Sequence, residues 1–260
     1  MEILLNPIAG FFVGLLVGMT GVGGGAMMTP LLILIFGVAP STAVGTDLLF
    51  SCITKCFGVW SYRSYSSIDW SIVRLLAYGS IPAALVTVIW LNFFDGMQVR
   101  QGLVLTALGT VLLITSAAMI FKTRLNRFGK RLRSTAPAEF KSAQPALTVL
   151  AGAILGVLVS LTSIGAGALG AVMLVYLYPF RLTPRKLVGT DLAHAIPLAL
   201  IAGIGHLAIG NVDFRLLVSL LLGSIPGILI GARLSVYAPE AILRTLIAII
   251  LAVVGLKLLH

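Results

Sequence analysis

The chain contains eight long apolar segments, and this feature limits its possible folds more than any other. A helix needs roughly 20 consecutive apolar residues to cross the hydrocarbon core of a bilayer. The composition agrees, because 59% of the residues are hydrophobic and only 10% are charged, whereas soluble domains hold about 25% charged residues. The sequence therefore predicts an all-α polytopic membrane protein. The segments lie near 8–36, 41–62, 71–92, 99–121, 145–178, 187–209, 214–236 and 241–259.

The positive charge of the chain is concentrated near its middle. The formal net charge is +10, and residues 122–141 hold seven basic residues against one acid, Glu139. In a soluble protein such a surplus would suggest nucleic acid. Between apolar segments it is typical of a cytoplasmic loop, since loops on that side are enriched in Lys and Arg. We therefore predict a basic cytoplasmic linker at 122–144 and no nucleic-acid partner.

The two halves of the sequence resemble each other. The stretch VGTDL occurs at 44–48 and again at 188–192, a separation of 144 positions. The same separation relates the two copies of GSIP, at 79–82 and 223–226. Upstream, Thr20 and the nearby glycines match Thr162 and its glycines at a separation of 142. These matches predict two transmembrane repeats, 1–121 and 145–260, which is a usual construction of secondary transporters.

The relative orientation of the repeats depends on how the segments 8–36 and 145–178 are folded. If both cross the membrane fully, each repeat has four crossings and the repeats are parallel. If both are re-entrant hairpins, each repeat has three crossings and the repeats are inverted. A full crossing by 145–178 would place Arg181, Arg185 and Lys186 outside, against the positive-inside tendency. We therefore predict the inverted arrangement.

Both of these long segments are interrupted by glycine. The first interruption is GVGGG at 21–25, and its partner at 162–167 reads TSIGAG. Glycine costs up to about 1 kcal/mol in a helix interior, and unwound backbone is tolerated in a membrane only inside protein or along a cavity. The helix that follows a break begins with free N–H groups, which suit an anion. Close packing of helices through small residues is the alternative.

The repeated Asp47 and Asp191 are acids in apolar surroundings. A carboxylate in the membrane is costly and usually faces the protein interior, where it serves a pathway. The preceding residues, Thr46 and Thr190, offer another interpretation, in which each threonine is the N-cap of a helix and the acid complements the helix dipole. We treat both acids as candidate proton carriers. Asp69 and Asp213 precede later segments, where helix capping is the expected role.

Two further titratable residues share helix faces with these acids. Asp47, Ser51 and Lys55 lie at four-residue spacing, so they form one polar strip on a helix. Lys55 could attract an anion or pair with an acid, or its ammonium could extend to the membrane surface. His194 follows Asp191 by three residues, and such a pair is a plausible proton relay because histidine titrates near neutral pH.

In several of these residues the chain resembles the TauE/SafE family of membrane permeases. The resemblance rests on GVGGG at 21–25 followed by Pro30, on the two Gly-Thr copies, and on two halves joined by a basic loop. It implies a bacterial inner-membrane permease for small sulfur-containing anions such as sulfite or sulfonates, with ion coupling, and the acids in apolar surroundings and His194 favour the proton as the coupling ion. The proton-coupling candidates are Asp47, Asp191 and His194. The candidate substrate-binding residues are Thr20, Gly21, Gly23, Gly24, Gly25, Thr46, Lys55, Thr162, Ser163, Gly165, Gly167 and Thr190.

Other functions fit the sequence less well. An uncoupled anion channel could use the same helix ends, and a carrier of another solute or of a cation could use the carboxylates. An enzyme is not expected, because the sequence lacks HExxH, GxSxG and similar motifs. No metal or cofactor is predicted. The expected partners are a small anion and membrane lipid, and a homo-oligomer is left open.

Overall fold

The structure, a computed structural model, describes residues 2–20, 25–62, 68–93, 97–135, 137–234 and 240–259, and the regular secondary structure of these residues is all α-helical. The predicted all-α class is therefore confirmed for these residues. The ten helices are α1 (Glu2–Thr20), α2 (Gly25–Leu34), α3 (Pro40–Tyr62), α4 (Trp70–Asn92), α5 (Met97–Thr135), α6 (Pro137–Thr162), α7 (Ala168–Leu177), α8 (Pro184–Ala208), α9 (Phe214–Leu234) and α10 (Glu240–Leu259).

Six of the described helices are long and apolar enough to cross a membrane. Their outward surfaces are apolar, as lipid requires; Tyr78, Val86 and Leu222, for example, are all at least 66% exposed. Shorter apolar stretches occur in α1, α7 and α10. The candidate spans are Pro40–Val59, Trp70–Asn92, Gln101–Gly129, Lys141–Thr162, Lys186–Ala208 and Phe214–Leu234.

The predicted basic linker at 122–144 is helical where it is described. Helix α5 continues to Thr135, and α6 begins at Pro137. Arg, Lys and Leu are good helix formers, so a charged segment that leaves the apolar region can extend the helix before it. The segment is therefore helical rather than irregular where it is described, and its role as a cytoplasmic linker between two repeats stays a prediction.

Helices of the first half pack mainly against helices of the second half. The closest pairs are α1 with α9, α4 with α6, α5 with α10, and α3 with α8. Glycines permit the approach in the first two pairs. A Cβ added to Gly10 would overlap the carbonyl oxygen of Leu220, and one added to Gly152 would overlap that of Leu76. Small residues thus form these interfaces, as they commonly do between membrane helices.

Replacing Gly223 by Ala should lower the thermal stability of the purified protein. A methyl group at this position would overlap the backbone carbonyl of Pro7, and overpacking against backbone typically costs about 1–3 kcal/mol. Gly102 is the matched control, since a Cβ there meets nothing within 4 Å. Gly102→Ala should leave the melting temperature unchanged or slightly higher. Equal melting temperatures for the two variants would contradict the close α1–α9 contact.

Helices α6 and α7 form a hairpin. The side chain of Gln144, near the start of α6, donates from Nε2 to the carbonyl oxygen of Leu177 at 2.6 Å. One turn further on, the hydroxyls of Thr148 and Tyr178 hydrogen bond at 2.8 Å. The end of α7 therefore returns to the level at which α6 starts. Segment 145–178 turns back at its glycine break rather than continuing forward.

Candidate functional site

The break between α6 and α7 is built from residues with left-handed backbone conformations. Ser163 has a φ of 58°, Gly165 of 123° and Gly167 of 137°. Residues with a Cβ rarely adopt such φ angles, which explains why glycine occupies positions 165 and 167. The hydroxyl of Thr162 donates to the carbonyl oxygen of Leu158 at 2.6 Å and accepts from the amide of Ile164 at 3.1 Å. Thr162 therefore holds the end of α6.

The N-terminus of α7 has free amide groups. The amides of Gly170 and Ala171 donate to the carbonyl oxygens of Gly165 and Gly167, but the described residues offer no acceptor to the amides of Ala168 and Leu169. Residues 163–170 are all buried. These two donors therefore lie inside the protein, where the positive end of a helix dipole favours negative charge.

For the first glycine break, the structure describes only the helices that flank it. Thr20 is the last residue of α1 and Gly25 is the first residue of α2. Gly21, Gly23 and Gly24 lie outside the described residues, so their predicted role in binding stays a prediction. Helix α2 has the same length as α7, ten residues.

Asp47 of α3 lies beside both broken segments. Its side chain is fully buried, and its Oδ2 accepts a hydrogen bond from the hydroxyl of Thr29 in α2. The side chain of Ser163, at the break after α6, lies beside the same carboxylate. Asp47 thus connects the helix that follows the first break with the backbone of the second break.

Lys55 is buried among acids rather than extended to the membrane surface. It is only 2% exposed, and its Nζ donates to the carbonyl oxygen of Ala166 at 3.3 Å. Its charge interacts most strongly with Asp191 and then with Asp47. The interpretation in which the ammonium reaches the surface is therefore wrong, and Lys55 ends at the unwound backbone of the second break.

Asp191 of α8 also lies close to the second break and to Lys55. It is 1% exposed, and a Cβ added to Gly170 of α7 would overlap its Oδ1. The absence of a side chain at Gly170 is therefore what allows the carboxylate to lie against the first turn of α7. Lys55 and the more distant Lys122 are the basic groups whose charges reach it.

Several polar atoms in this region are buried without a hydrogen-bond partner. Such atoms are uncommon in folded proteins and require an explanation. Among the described residues, the unpaired atoms near Lys55 belong to the two acids, to two serine hydroxyls and to the ring of His194. They are Asp47 Oδ1, Ser51 Oγ, Ser163 Oγ, Asp191 Oδ1 and His194 Nδ1.

His194 does not pair with Asp191 as the sequence suggested. Its ring is fully buried, and Nε2 hydrogen bonds to the hydroxyl of Ser80 in α4 at 2.8 Å. The two residues share a helix face, but the side chain of His194 contacts α4 and that of Asp191 contacts α7. Ser80 and Thr29 were not identified from the sequence, although Ser80 lies in the repeated GSIP stretch, which was a usable signal.

Thr46 and Thr190 are not helix N-caps. Helix α3 begins at Pro40 and α8 at Pro184, so each threonine lies more than one turn inside its helix. Thr190 Oγ1 accepts from the amide of Asp69, and Thr46 Oγ1 accepts from the amide of Asp213, both at 3.0 Å. The two hydroxyls therefore hold loops of the opposite half of the chain.

Asp69 forms an ion pair at the end of the molecule where α7 terminates. Its carboxylate accepts from Nε and Nη2 of Arg181 at 2.7 and 2.8 Å, and Nζ of Lys186 lies 3.3 Å away. Burial opposes ionisation, but the hydrogen bonds and charges of Arg181 and Lys186 outweigh it and lower the pKa of Asp69. The predicted capping role is met only in part by Asp69, which occupies the N-cap position of α4 but makes no capping hydrogen bond with its side chain, and it is confirmed for Asp213, whose Oδ1 accepts from the amide of Leu216.

Replacing Asp69 by Asn should destabilise the protein in a pH-dependent way. The folded-state pKa is lowered, so the ion pair stabilises the protein above the unfolded value of about 3.9 and this contribution is lost as pH falls through the folded-state pKa. We expect a loss of about 1 kcal/mol at neutral pH, since Arg181 is 46% exposed and its bonds are partly replaced by water.

Asp213→Asn is the matched control for this variant, because Asp213 is exposed and Asn caps a helix about as well as Asp. The measurement is the melting temperature of both variants from pH 7 down to about pH 2. The difference between Asp69→Asn and the unmodified protein should be constant above about pH 4 and should shrink below it. A difference that persists unchanged at the acid end of this range would show that the carboxylate charge is not the stabilising element.

One surface cavity formed by described residues is separate from this cluster. It has a volume of about 440 Å³ and lies between α4 and α8. Its walls are almost entirely apolar, and they include Leu85, Ile89, Ile201 and Ile204. It offers no charged group to a small anion.

Comparison with known proteins identifies the family. The sequence profile described as "Sulfite exporter TauE/SafE" matches residues 7–258. "Probable membrane transporter protein YjnA" of Bacillus subtilis is 44% identical over 97% of this chain and 98% of its own length. "Probable membrane transporter protein YdhB" of the same organism is 27% identical over 96% and 97%. No solved structure matches the chain. The chain is thus a multi-pass membrane transporter that belongs to the TauE/SafE family.

Proposed function

We propose that this protein is a proton-coupled secondary transporter of small sulfur-containing anions such as sulfite or sulfonates. The observation that carries the proposal is the buried break at 163–167, where the free amides of Ala168 and Leu169 lie close to a buried lysine. The family description names sulfite. Amide donors at a helix N-terminus bind oxyanions well.

We further propose that the chain consists of two inverted repeats. Three observations support this. The loop amides of Asp69 and Asp213 bond to Thr190 and Thr46 at the same distance, which is the reciprocal contact that a twofold axis in the membrane would produce. The main helix pairs follow the repeat: α3 packs against its counterpart α8 and α5 against α10, and the contact of α1 with α9 recurs as that of α6 with α4. The α6–α7 hairpin returns to its starting end, which leaves three crossings for the second half, and we propose the same arrangement for the first half.

In this arrangement α3, α4 and α5 cross the membrane in the first repeat, and α8, α9 and α10 cross in the second. Helix α6 is long enough to span by composition alone, but its hairpin with α7 makes it one arm of a re-entrant segment. The end that holds the basic segment 122–141 then faces the cytoplasm of a bacterial inner membrane. Arg181 and Lys186 lie at the same end, in agreement with the positive-inside tendency.

The two acids explain why the transport would be coupled to protons. An anion at the amides of α7 would be repelled by ionised Asp47 and Asp191, both buried near the break. Protonation of a carboxylate removes this repulsion, so binding of the anion and uptake of a proton favour each other. His194 lies one turn from Asp191 but is hydrogen bonded to Ser80, so we assign it a supporting role.

Transport by purified protein in liposomes tests the proposal. With radiolabelled sulfite or sulfoacetate and an imposed pH gradient, a coupled transporter concentrates the anion above its equilibrium level. An uncoupled channel, which is the main alternative, only equilibrates it. Equilibration without accumulation would favour the channel, and no movement of any sulfur-containing anion would refute the proposed substrate class.

A further inference from the structure

We infer that the Lys55 ammonium is a built-in monovalent cation at the second break, and that a small neutral residue in its place would create a binding site for Na⁺ or Li⁺. Unwound backbone carbonyls coordinate the coupling ion in many secondary transporters. Lys55 Nζ donates to one such carbonyl, that of Ala166. The part that concerns the coupling ion rests on the proposed function. The part that concerns cation binding does not depend on which anion is transported.

The atoms around the ammonium are suited to a hard cation. The carboxylates of Asp191 and Asp47 interact electrostatically with Lys55, and no described contact brings either carboxylate into a direct ion pair with it. Asp47 Oδ1, Asp191 Oδ1, Ser163 Oγ and Ser51 Oγ are buried acceptors without partners. Hard cations select such sets of carboxylate, hydroxyl and carbonyl oxygens.

The charge balance of the region depends on Lys55. Two carboxylates with one ammonium approach neutrality, whereas the same carboxylates alone would be a buried pair of like charges, which is unfavourable. The second half of the chain supplies no such cation, since the residue 144 positions after Lys55 is Ala199. The groups that face the cluster from the packed helices are Asp47, Cys52, Asp191, His194 and Lys122.

This arrangement accounts for the choice of coupling ion. A tethered ammonium can lose a proton and the resulting amine can regain it, but the group cannot leave, so it excludes Na⁺ from the position and leaves protons as the coupling species. The unmodified protein should therefore respond to pH and not to Na⁺. Removing the side chain should produce the opposite behaviour.

The test compares Lys55→Ala with Lys55→Met. Alanine leaves room for an ion, whereas methionine is neutral but fills much of the space of the lysine stem. Both variants lose the ammonium, so both should melt below the unmodified protein in choline chloride. Only Lys55→Ala should recover in NaCl or LiCl at equal ionic strength, by roughly 5 °C or more. KCl should be less effective, because K⁺ is larger.

The outcome that overturns the inference is an equal melting temperature of Lys55→Ala in sodium and choline, or recovery of Lys55→Met to the same extent. If Lys55→Ala cannot be purified in choline, its yield of monodisperse protein becomes the measurement. We expect folded protein in NaCl alone, and aggregation in both salts contradicts the inference. Since no anion substrate enters this assay, a failure of sulfite transport would leave its result intact.

Discussion

Liposomes that contain the Asp191→Asn variant should show no transport of sulfite driven by a pH gradient, at the level of protein-free liposomes. Asp191 is buried against the first turn of α7, so it is placed to exchange a proton as the anion binds. Asparagine preserves the shape but cannot ionise. Binding of the anion, measured by thermal shift, should persist or become stronger, because the repulsion from the carboxylate is removed.

Asp213→Asn is again the appropriate control, since it removes an acid at a loop position outside the cluster. Its transport should match that of the unmodified protein. Normal pH-driven accumulation by Asp191→Asn would exclude Asp191 as a proton carrier and would leave Asp47 as the remaining carboxylate of the cluster.

The Gly167→Ala variant should lose anion binding by at least roughly tenfold. Gly167 precedes α7 with a φ of 137°, a conformation that residues with a Cβ rarely adopt. Alanine would rotate the backbone and redirect the amides of Ala168 and Leu169. The measurement is the concentration of sulfite or sulfonate that gives half of the maximal thermal shift.

Gly37→Ala separates this effect from general backbone strain. Gly37 also has a positive φ, of 65°, and a Cβ there meets nothing within 4 Å. The substitution should cost about 1 kcal/mol in stability and should leave anion binding unchanged. Equal loss of binding in the two variants would indicate that strain, rather than the direction of the α7 amides, controls affinity.

Much of the architecture could be predicted because the constraints were local in the sequence. Apolar length predicted the helices, and charge asymmetry favoured a hairpin at 145–178, which the contact between Gln144 and Leu177 agrees with. The position of glycine predicted the interruption after Thr162. Acids in apolar surroundings indicated Asp47 and Asp191, both of which are buried near that interruption.

The remaining features depend on partners that are distant in the sequence. Asp69 was interpreted as a cap, but its partner Arg181 is 112 positions away. His194 likewise bonds to Ser80 of another helix rather than to its neighbour Asp191. Tertiary packing decides such pairs, and one sequence does not reveal it.

The apolar segments predicted at 41–62 and 187–209 begin close to the observed starts of α3 and α8. Each helix begins at a proline, Pro40 or Pro184, a residue favoured in the first turn. Thr183 precedes the second proline and accepts from the amide of Lys186 at 3.3 Å, as an N-cap should. The alternative interpretation, in which Thr46 and Thr190 are the N-caps, places both helix starts more than one turn too far along the chain.

Hydrogen–deuterium exchange with mass spectrometry tests most directly whether an anion binds at the second break. The purified protein is compared in sulfite, in sulfoacetate and in chloride at equal ionic strength, with thermal shift confirming which anion is bound. We predict slower exchange in peptides that cover 163–170, where the amides of Ala168 and Leu169 lack acceptors, and no change around Gly102. Unchanged exchange at 163–170 while a bound anion stabilises the protein would place the anion elsewhere and contradict the proposed site.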